Sequence, residues 1–200
     1  MVDLMMPVSP LEDVLVQGRY GRSLAEGPGV TLSLAHPCDV ASVIAAKGKA
    51  LALATEAKKE FGLTLPDMGK SSSARGMSAY SSAPDQWIVV AAGSTPGALA
   101  PKLEVKLDKQ AMITDQSHGR VVVRMSGACA RDVLAKGTAI DLRPGSFRPS
   151  MCGATQFGHV GVTIACTGPD SFDLIIGRTF VEGFWLGICE LALEWGYEVR

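Results

Sequence analysis

Three short runs carry residues of catalytic type. Gly69-Lys70-Ser71 has the ending of a phosphate-binding loop. In such a loop a Gly-rich turn and the N-terminus of the next helix aim amides at phosphate while the lysine neutralises it. The full pattern needs glycine at position 64, which is Thr64; Pro66 interrupts the approach, and the SSSARG that follows reads as a loop, not a helix. Asp115-Gln116-Ser117-His118-Gly119-Arg120 packs acid, hydroxyl and imidazole into one segment. A catalytic triad needs those groups to converge in space, whereas neighbours on a strand point to alternate faces. No G-x-S-x-G accompanies it, so it reads as the polar entry to the strand RVVVRM. His36-Pro37-Cys38 offers two metal ligands without the second close pair of a structural zinc site. The three histidines (His36, His118, His159) stand apart. Cys38, Cys129, Cys152, Cys166 and Cys189 are odd in number and widely spaced, which suits reduced thiols in a cytoplasmic protein better than a disulfide framework. No G-x-G-x-x-G follows a strand, so the chain is not expected to hold a dinucleotide. The expectation is no catalytic residue, no cofactor-binding residue and no metal ligand in this chain.

The elements that would position these residues come in two similar rounds. Residues 1–29 lack a sustained period and read as an arm, with Ser9-Pro10-Leu11-Glu12 as a helix start and a short helix ending near Gln17-Gly18. Strands follow at 30–34 and 40–45. A helix over 48–62 places Ala50, Leu53, Ala54, Ala57 and Phe61 on one face, with Gly62 as its stop. A hairpin over 77–92 and a helix from Thr95-Pro96 to about Leu107 complete the first half. The second half repeats the order: strand 120–125, helix 127–136, strands 156–166 and 172–176, then a helix opened by a capping box at Thr179-Phe180-Val181-Glu182. Leu65-Pro66 aligns with Arg143-Pro144, and Pro84-Asp85-Gln86-Trp87 with Pro169-Asp170-Ser171-Phe172. The fold class is α+β, with two pseudo-repeated β-α-β-β-α halves at 30–108 and 109–200 in one compact unit, each sheet covered by helices on one face.

Length and composition bound the function. The chain has 200 residues, 47% apolar and 20% charged, which suffices for a core without staples. With 19 basic against 20 acidic residues there is no basic field for nucleic acid or an anionic membrane. No run of about 20 apolar residues is present, and the N-terminus lacks the pattern of a secretory signal.

Much of the apolar surplus sits in TFVEGFWLGICELALEW (179–195), where only Glu182, Glu190 and Glu194 are charged. A helix apolar nearly all round must be covered nearly all round. Two arrangements satisfy this: a subunit interface, with Phe180, Phe184, Trp185, Leu186 and Leu193 as candidate contacts, or a central helix sandwiched between the two halves.

The run DQSHGRVVVRMSGACARDVLAKGTAIDLRPGSF (115–147) closely resembles the gamma subunit of heterotetrameric sarcosine oxidase, and so does DSFDLIIGRTFVEGFWLGICELALEWGYEV (170–199). The shared pattern is Asp115-Gln116-Ser117, Gly119-Arg120, Gly127, Leu134-Ala135-Lys136-Gly137, Asp141-Leu142, Pro144, Phe147 and Arg178. The first half matches more loosely, through Ser9-Pro10-Leu11, Gly29-Val30, Leu65-Pro66 and Pro84-Asp85-Gln86-Trp87. Thr179 stands where the family usually has Ser; either can cap a helix. The resemblance implies alpha, beta and delta subunits as partners. It also implies a complex that oxidatively demethylates sarcosine to glycine, yielding hydrogen peroxide and either methylene-tetrahydrofolate or formaldehyde. FAD, FMN, NAD, tetrahydrofolate and zinc would be held by the other subunits. The gamma subunit would be similar in fold to the folate-binding aminomethyltransferases and would serve structure and assembly. The alternative is a stand-alone folate-binding protein of aminomethyltransferase type.

Overall fold

The computed structural model describes residues 9–23 and 27–200; the rest of the arm expected over 1–29 lies outside the described residues. The elements follow in chain order. β1 (Gly18–Tyr20), β2 (Val30–Leu34) and β3 (Cys38–Ala45) precede α1 (Ala50–Phe61). Next come β4 (Ser71–Ala74), β5 (Met77–Ala83), β6 (Gln86–Ala92), α2 (Leu99–Leu107) and β7 (Ala111–Asp115). Then come β8 (Arg120–Ser126), α3 (Ala130–Ala135), β9 (Cys152–Phe157), β10 (Val160–Gly168), β11 (Ser171–Gly177), α4 (Val181–Ala192) and β12 (Tyr197–Val199).

Local sequence explains the clearest of these. Leu53, Ala57 and Phe61 recur every four residues and bury one face of α1; Gly62 then takes φ 68° and returns its N–H to the Lys58 carbonyl at 3.0 Å. That left-handed stop is open to glycine without steric cost. Elsewhere the pattern misleads. The helix expected after Ser9 is a single turn: Leu15 N–H bonds the Leu11 carbonyl at 2.8 Å, after which the chain extends into β1. Leu11 is buried in the main core and anchors this turn. The serine-rich 71–74 run is the strand β4, and the 152–157 segment is a strand of its own. Serine tolerates an edge strand when the neighbour supplies the ladder; here β5 does so.

The strands form two sheets. One has the order β4-β5-β6-β3-β7, the other β1-β12-β2-β8-β11-β10-β9. β2 and β7 are each followed in the chain by a strand of the other sheet. β2 pairs antiparallel with β8 (Thr31 opposite Ser126, Leu34 opposite Val123), and β7 pairs antiparallel with β3 (Ala45 opposite Ala111, Ala41 opposite Asp115). β2 therefore joins the sheet formed otherwise by β1 and β8 to β12, and β7 the sheet formed otherwise by β3 to β6.

Alternation along the strands sets four layers. Val121, Val123 and Met125 of β8 and Phe172, Leu174 and Ile176 of β11 pack with Val133 and Leu134 of α3 and Phe184, Trp185 and Ile188 of α4. Ala41, Val43, Val89 and Ala91 pack with α1 and α2. The intervening residues meet between the sheets, Val40, Tyr80, Ile88 and Val90 from one facing Val122, Cys152, Ala165 and Ile175 from the other. The sheets thus contact each other directly and the helices cover the outside, so α4 is not a central helix between halves. At one side the sheets also join edge to edge: Ser71 N–H donates to the Ser150 carbonyl at 2.8 Å and Cys152 N–H to Gly69 at 2.9 Å.

Candidate functional site

Gly69 and Lys70 lie in the junction between the sheets. Gly69 N–H donates to Ser81 Oγ at 2.9 Å, Lys70 Nζ reaches Asp67 at 3.1 Å, and the strand β4 follows. A phosphate would meet neither a helix N-terminus nor a cluster of free amides there. His36 is exposed while Cys38 is buried. Among the described residues no group of three or more His, Cys, Asp and Glu side chains is arranged to hold a metal. Burial pushes the thiols of Cys38, Cys129, Cys152, Cys166 and Cys189 above their usual value, Cys38 to about 11. A thiol raised in this way is a poor nucleophile at neutral pH.

The Asp-Gln-Ser segment that follows β7 is an anchor. Ser117 is buried, and its Oγ lies 2.6 Å from both Asp39 Oδ1 and Asp115 Oδ1 while accepting the Val40 N–H at 3.0 Å. Asp39, fully buried at the start of β3, accepts the N–H groups of Gly97 (3.2 Å), Ala98 (2.8 Å) and Leu99 (2.6 Å). It therefore caps α2 from a strand about 60 positions away, where an anion satisfies orphan amides and complements the helix dipole. Burial raises the Asp115 carboxyl, but hydrogen bonds from the Ser117 hydroxyl and amide outweigh it and hold the group below its usual range. The side chain of Ser117 is committed to this network, and His118 is exposed. Sequence reasoning missed Asp39; the available signal was a lone acid in an otherwise apolar strand, which must find donors when buried.

The pattern residues of the second half are explained by close packing. A Cβ on Gly127, which has φ 126°, would collide with the Gly29 carbonyl, and one on Gly137 would enter the Phe157 ring. Arg131, also missed, gathers the 141–147 loop. Its Nη1 donates to the carbonyls of Leu142 (2.5 Å) and Phe147 (3.0 Å), its Nε and Nη2 to the Pro169 carbonyl, and its guanidinium lies 5.1 Å from the Phe172 ring centroid. Only the planar five-donor fork of arginine can serve carbonyls from two loops at once.

α4 places the candidate contacts on two sides. Phe184 and Trp185 are each 2% exposed and belong to the chain's own core, which corrects the expectation that they face another subunit. Phe180, Leu186 and Leu193 are 59%, 53% and 44% exposed. Phe180 lies in the 3-10 turn Arg178–Phe180 and is the N-cap residue of α4, in the place expected of Thr179, and its side chain makes no cap; the expected capping box does not form. Leu186 and Leu193 share a face with the exposed Glu182, Gly183 and Glu190, and a Cβ on Gly183 or Gly187 would meet open space.

The surface between Tyr80 and Arg124 holds a cleft of about 410 Å³, lined also by Arg75, Ser78, Val90 and Asp173. Tyr80 Oη donates to Asp173 Oδ2 at 2.6 Å, and the Arg124 guanidinium lies 3.6 Å from the same carboxylate. This cluster ties β5 of one sheet to β11 of the other. Burial and the adjacent Asp173 push the Tyr80 hydroxyl far above its usual value.

The fold, two sheets packed face to face with outer helices, is that of sarcosine oxidase chains and aminomethyltransferases. A chain of the heterotetrameric sarcosine oxidase from Corynebacterium sp. U-96, solved with pyrrole 2-carboxylate, superposes with a TM-score of 0.80 at 22% identity, covering 94% of this chain and 96% of that one. The glycine cleavage system aminomethyltransferase T from Bartonella henselae gives 0.66 at 13% identity, with 96% of this chain spanning 58% of that one. No curated protein matches the sequence. The model of the sarcosine oxidase, gamma subunit family matches residues 45–194, and the chain belongs to that family.

Proposed function

We propose that this chain is the non-catalytic gamma-type subunit of a cytoplasmic heterotetrameric sarcosine oxidase, partnered by alpha, beta and delta subunits. The complex oxidatively demethylates sarcosine to glycine with production of hydrogen peroxide, passing the methyl carbon to tetrahydrofolate or releasing it as formaldehyde. FAD, FMN, NAD, tetrahydrofolate and zinc belong to the other subunits, and the two halves of this chain, 30–108 and 109–200, act as one compact docking unit. The observation that carries this reading is the outer face of α4. Its apolar core-facing side is fully used within the chain, yet Leu186 and Leu193, with Phe180 nearby, remain on the surface beside two open glycines. Large apolar side chains left exposed among glutamates on one helix face are a feature of partner-binding surfaces, whose apolar centre is rimmed by polar residues.

The test is co-expression with the three other subunits. Leu186→Glu combined with Leu193→Glu is expected to lower co-purification at least about tenfold, because buried charge weakens an apolar contact by more than a kcal/mol. The variant's own melting temperature stays unchanged, since both side chains are exposed. Undiminished recovery of the partners removes α4 from the interface. The alternative, a stand-alone folate-binding protein of aminomethyltransferase type, is supported by the fold likeness; saturable tetrahydrofolate binding by the isolated chain in calorimetry would favour it over the subunit reading.

A further inference from the structure

An unpaired sheet edge has to be covered, shortened or charged, or it recruits another strand. Among the described residues four strands form edges. β4 is four residues long, and Ser72 Oγ bonds the Thr64 carbonyl of the segment beside it at 2.5 Å. β9 is flanked by the 137–140 segment: Gly158 N–H donates to Gly137 at 2.8 Å, the hydroxyls of Thr138 and Thr155 are 3.0 Å apart, and Ile140 packs over Gly153. β1 has three residues. Among the described residues β7 has no such cover, and its one charge, Asp115, stands at its end. It is the five-residue strand Ala-Met-Ile-Thr-Asp, without proline, lysine or a register shift. The Gln110 carbonyl accepts from Ala46 N–H, and Gln116 N–H donates to Val40, each at 2.7 Å. Alternation therefore turns Met112 and Thr114 towards β3 and the N–H and C=O of Ala111 and Ile113 outward. Met112 is 69% exposed.

β2 has the matching place in the other sheet, beside β8 as β7 is beside β3, and its outer edge is occupied. β12 adds to it in parallel, Tyr197 opposite Val30 through Val199 opposite Leu32. The ladder includes Val30 N–H to Gly196 at 3.2 Å and Arg200 N–H to Leu32 at 3.0 Å. Tyr197 and Val199 turn into the core on the helix side, and Glu198 turns away. Among the described residues nothing stands in β12's place beside β7.

We infer that β7 is a docking strand, on which an extended segment of another subunit adds in parallel, as β12 adds to β2. The occupant alternates apolar and polar residues, its apolar side chains turned to the helix side beside Ala111 and Ile113. Main-chain hydrogen bonds supply the affinity in such strand addition and the alternate side chains the specificity. The inference rests on the proposed role, in which this chain occurs once per complex; the occupant is therefore not a second copy.

Residue-resolved amide exchange in the co-expressed complex tests it. With the partner strand in place, the outward Ile113 amide exchanges within about tenfold of Thr114, whose N–H belongs to the β3 ladder. Exchange of Ile113 more than about tenfold faster than Thr114 in the intact complex overturns the inference and leaves the subunit role standing. Failure of any other subunit to co-purify overturns both. In the chain expressed alone, Ile113 is expected to exchange freely. Protection there that falls on dilution would assign the edge to a second copy, and protection lost on deleting residues 1–8 would assign it to the chain's own arm; either result overturns the inference.

Discussion

At the scale of single residues, the polar groups that matter are buried and local pattern does not announce them. Asp39 and Asp173 sit in apolar strands, and each is satisfied by groups about 60 and 90 positions away. Ser117, by contrast, lies in a segment that looks catalytic and serves as a clasp. Burial also gives the chain an alkaline weakness. The Cys38 thiol rises from 9.0 to about 11, chiefly through desolvation, with Arg124 opposing and Asp39 and Asp173 adding. The folded state then holds this proton more tightly than the unfolded state. The associated stability is complete below pH 9 and is lost as pH rises through 11, up to about 2–3 kcal/mol. The urea midpoint is expected to fall across that window. Cys38→Ala should flatten part of the decline; the rest belongs to the other raised thiols and to Tyr80 and Tyr197. An unaltered profile in the variant would show that Cys38 makes no contribution.

At the scale of elements, α4 joins two requirements in one helix. Val181, Phe184, Trp185, Ile188 and Ala192 form its buried stripe. The opposite side carries Gly183 and Gly187, which cost helix stability and have open space around them. Each glycine in a helix interior forfeits about 1 kcal/mol relative to alanine. Gly183→Ala with Gly187→Ala is therefore expected to raise the stability of the chain alone by about 1–2 kcal/mol in urea denaturation. If a partner packs against this backbone, the same pair lowers subunit recovery. A stabilised variant that assembles normally would mean that the glycines have no part in docking. The spacing of the apolar residues made α4 and α1 legible in the sequence. Which apolar residues of α4 stay outside was not, because Phe184 and Leu186 differ only by the rotation at which the helix meets its sheet.

At the scale of the whole molecule, the two sheets are bound into one body by three means: the chain crossings that follow β2 and β7, the edge junction at Lys70 and Met151, and the buried layer around Tyr80. Tyr80→Phe tests the third. It leaves the buried Asp173 without the donor at 2.6 Å and is expected to cost about 1–3 kcal/mol, read as a lower urea midpoint. An unchanged midpoint would mean that Arg124 alone satisfies the carboxylate.

The sequence by itself determined the α+β class, the strands β2, β3, β5, β6, β8, β10 and β11, the long helices and the family, because periodicity, glycine stops and the 115–147 and 170–199 motifs are local; the edge and short strands β4, β7, β9 and β12 carry no such local signal. Tertiary structure alone decided that Phe184 and Trp185 are core while Leu186 and Leu193 are surface. It also decided that Ser71–Ala74 is a strand, that Asp39 caps α2, and that β2 pairs with β8 while β7 pairs with β3. The physical reason is common to all four. Each depends on which hydrogen-bond donors and apolar surfaces arrive from far along the chain, and a polar group or a strand edge accepts whichever satisfying neighbour the fold brings to it.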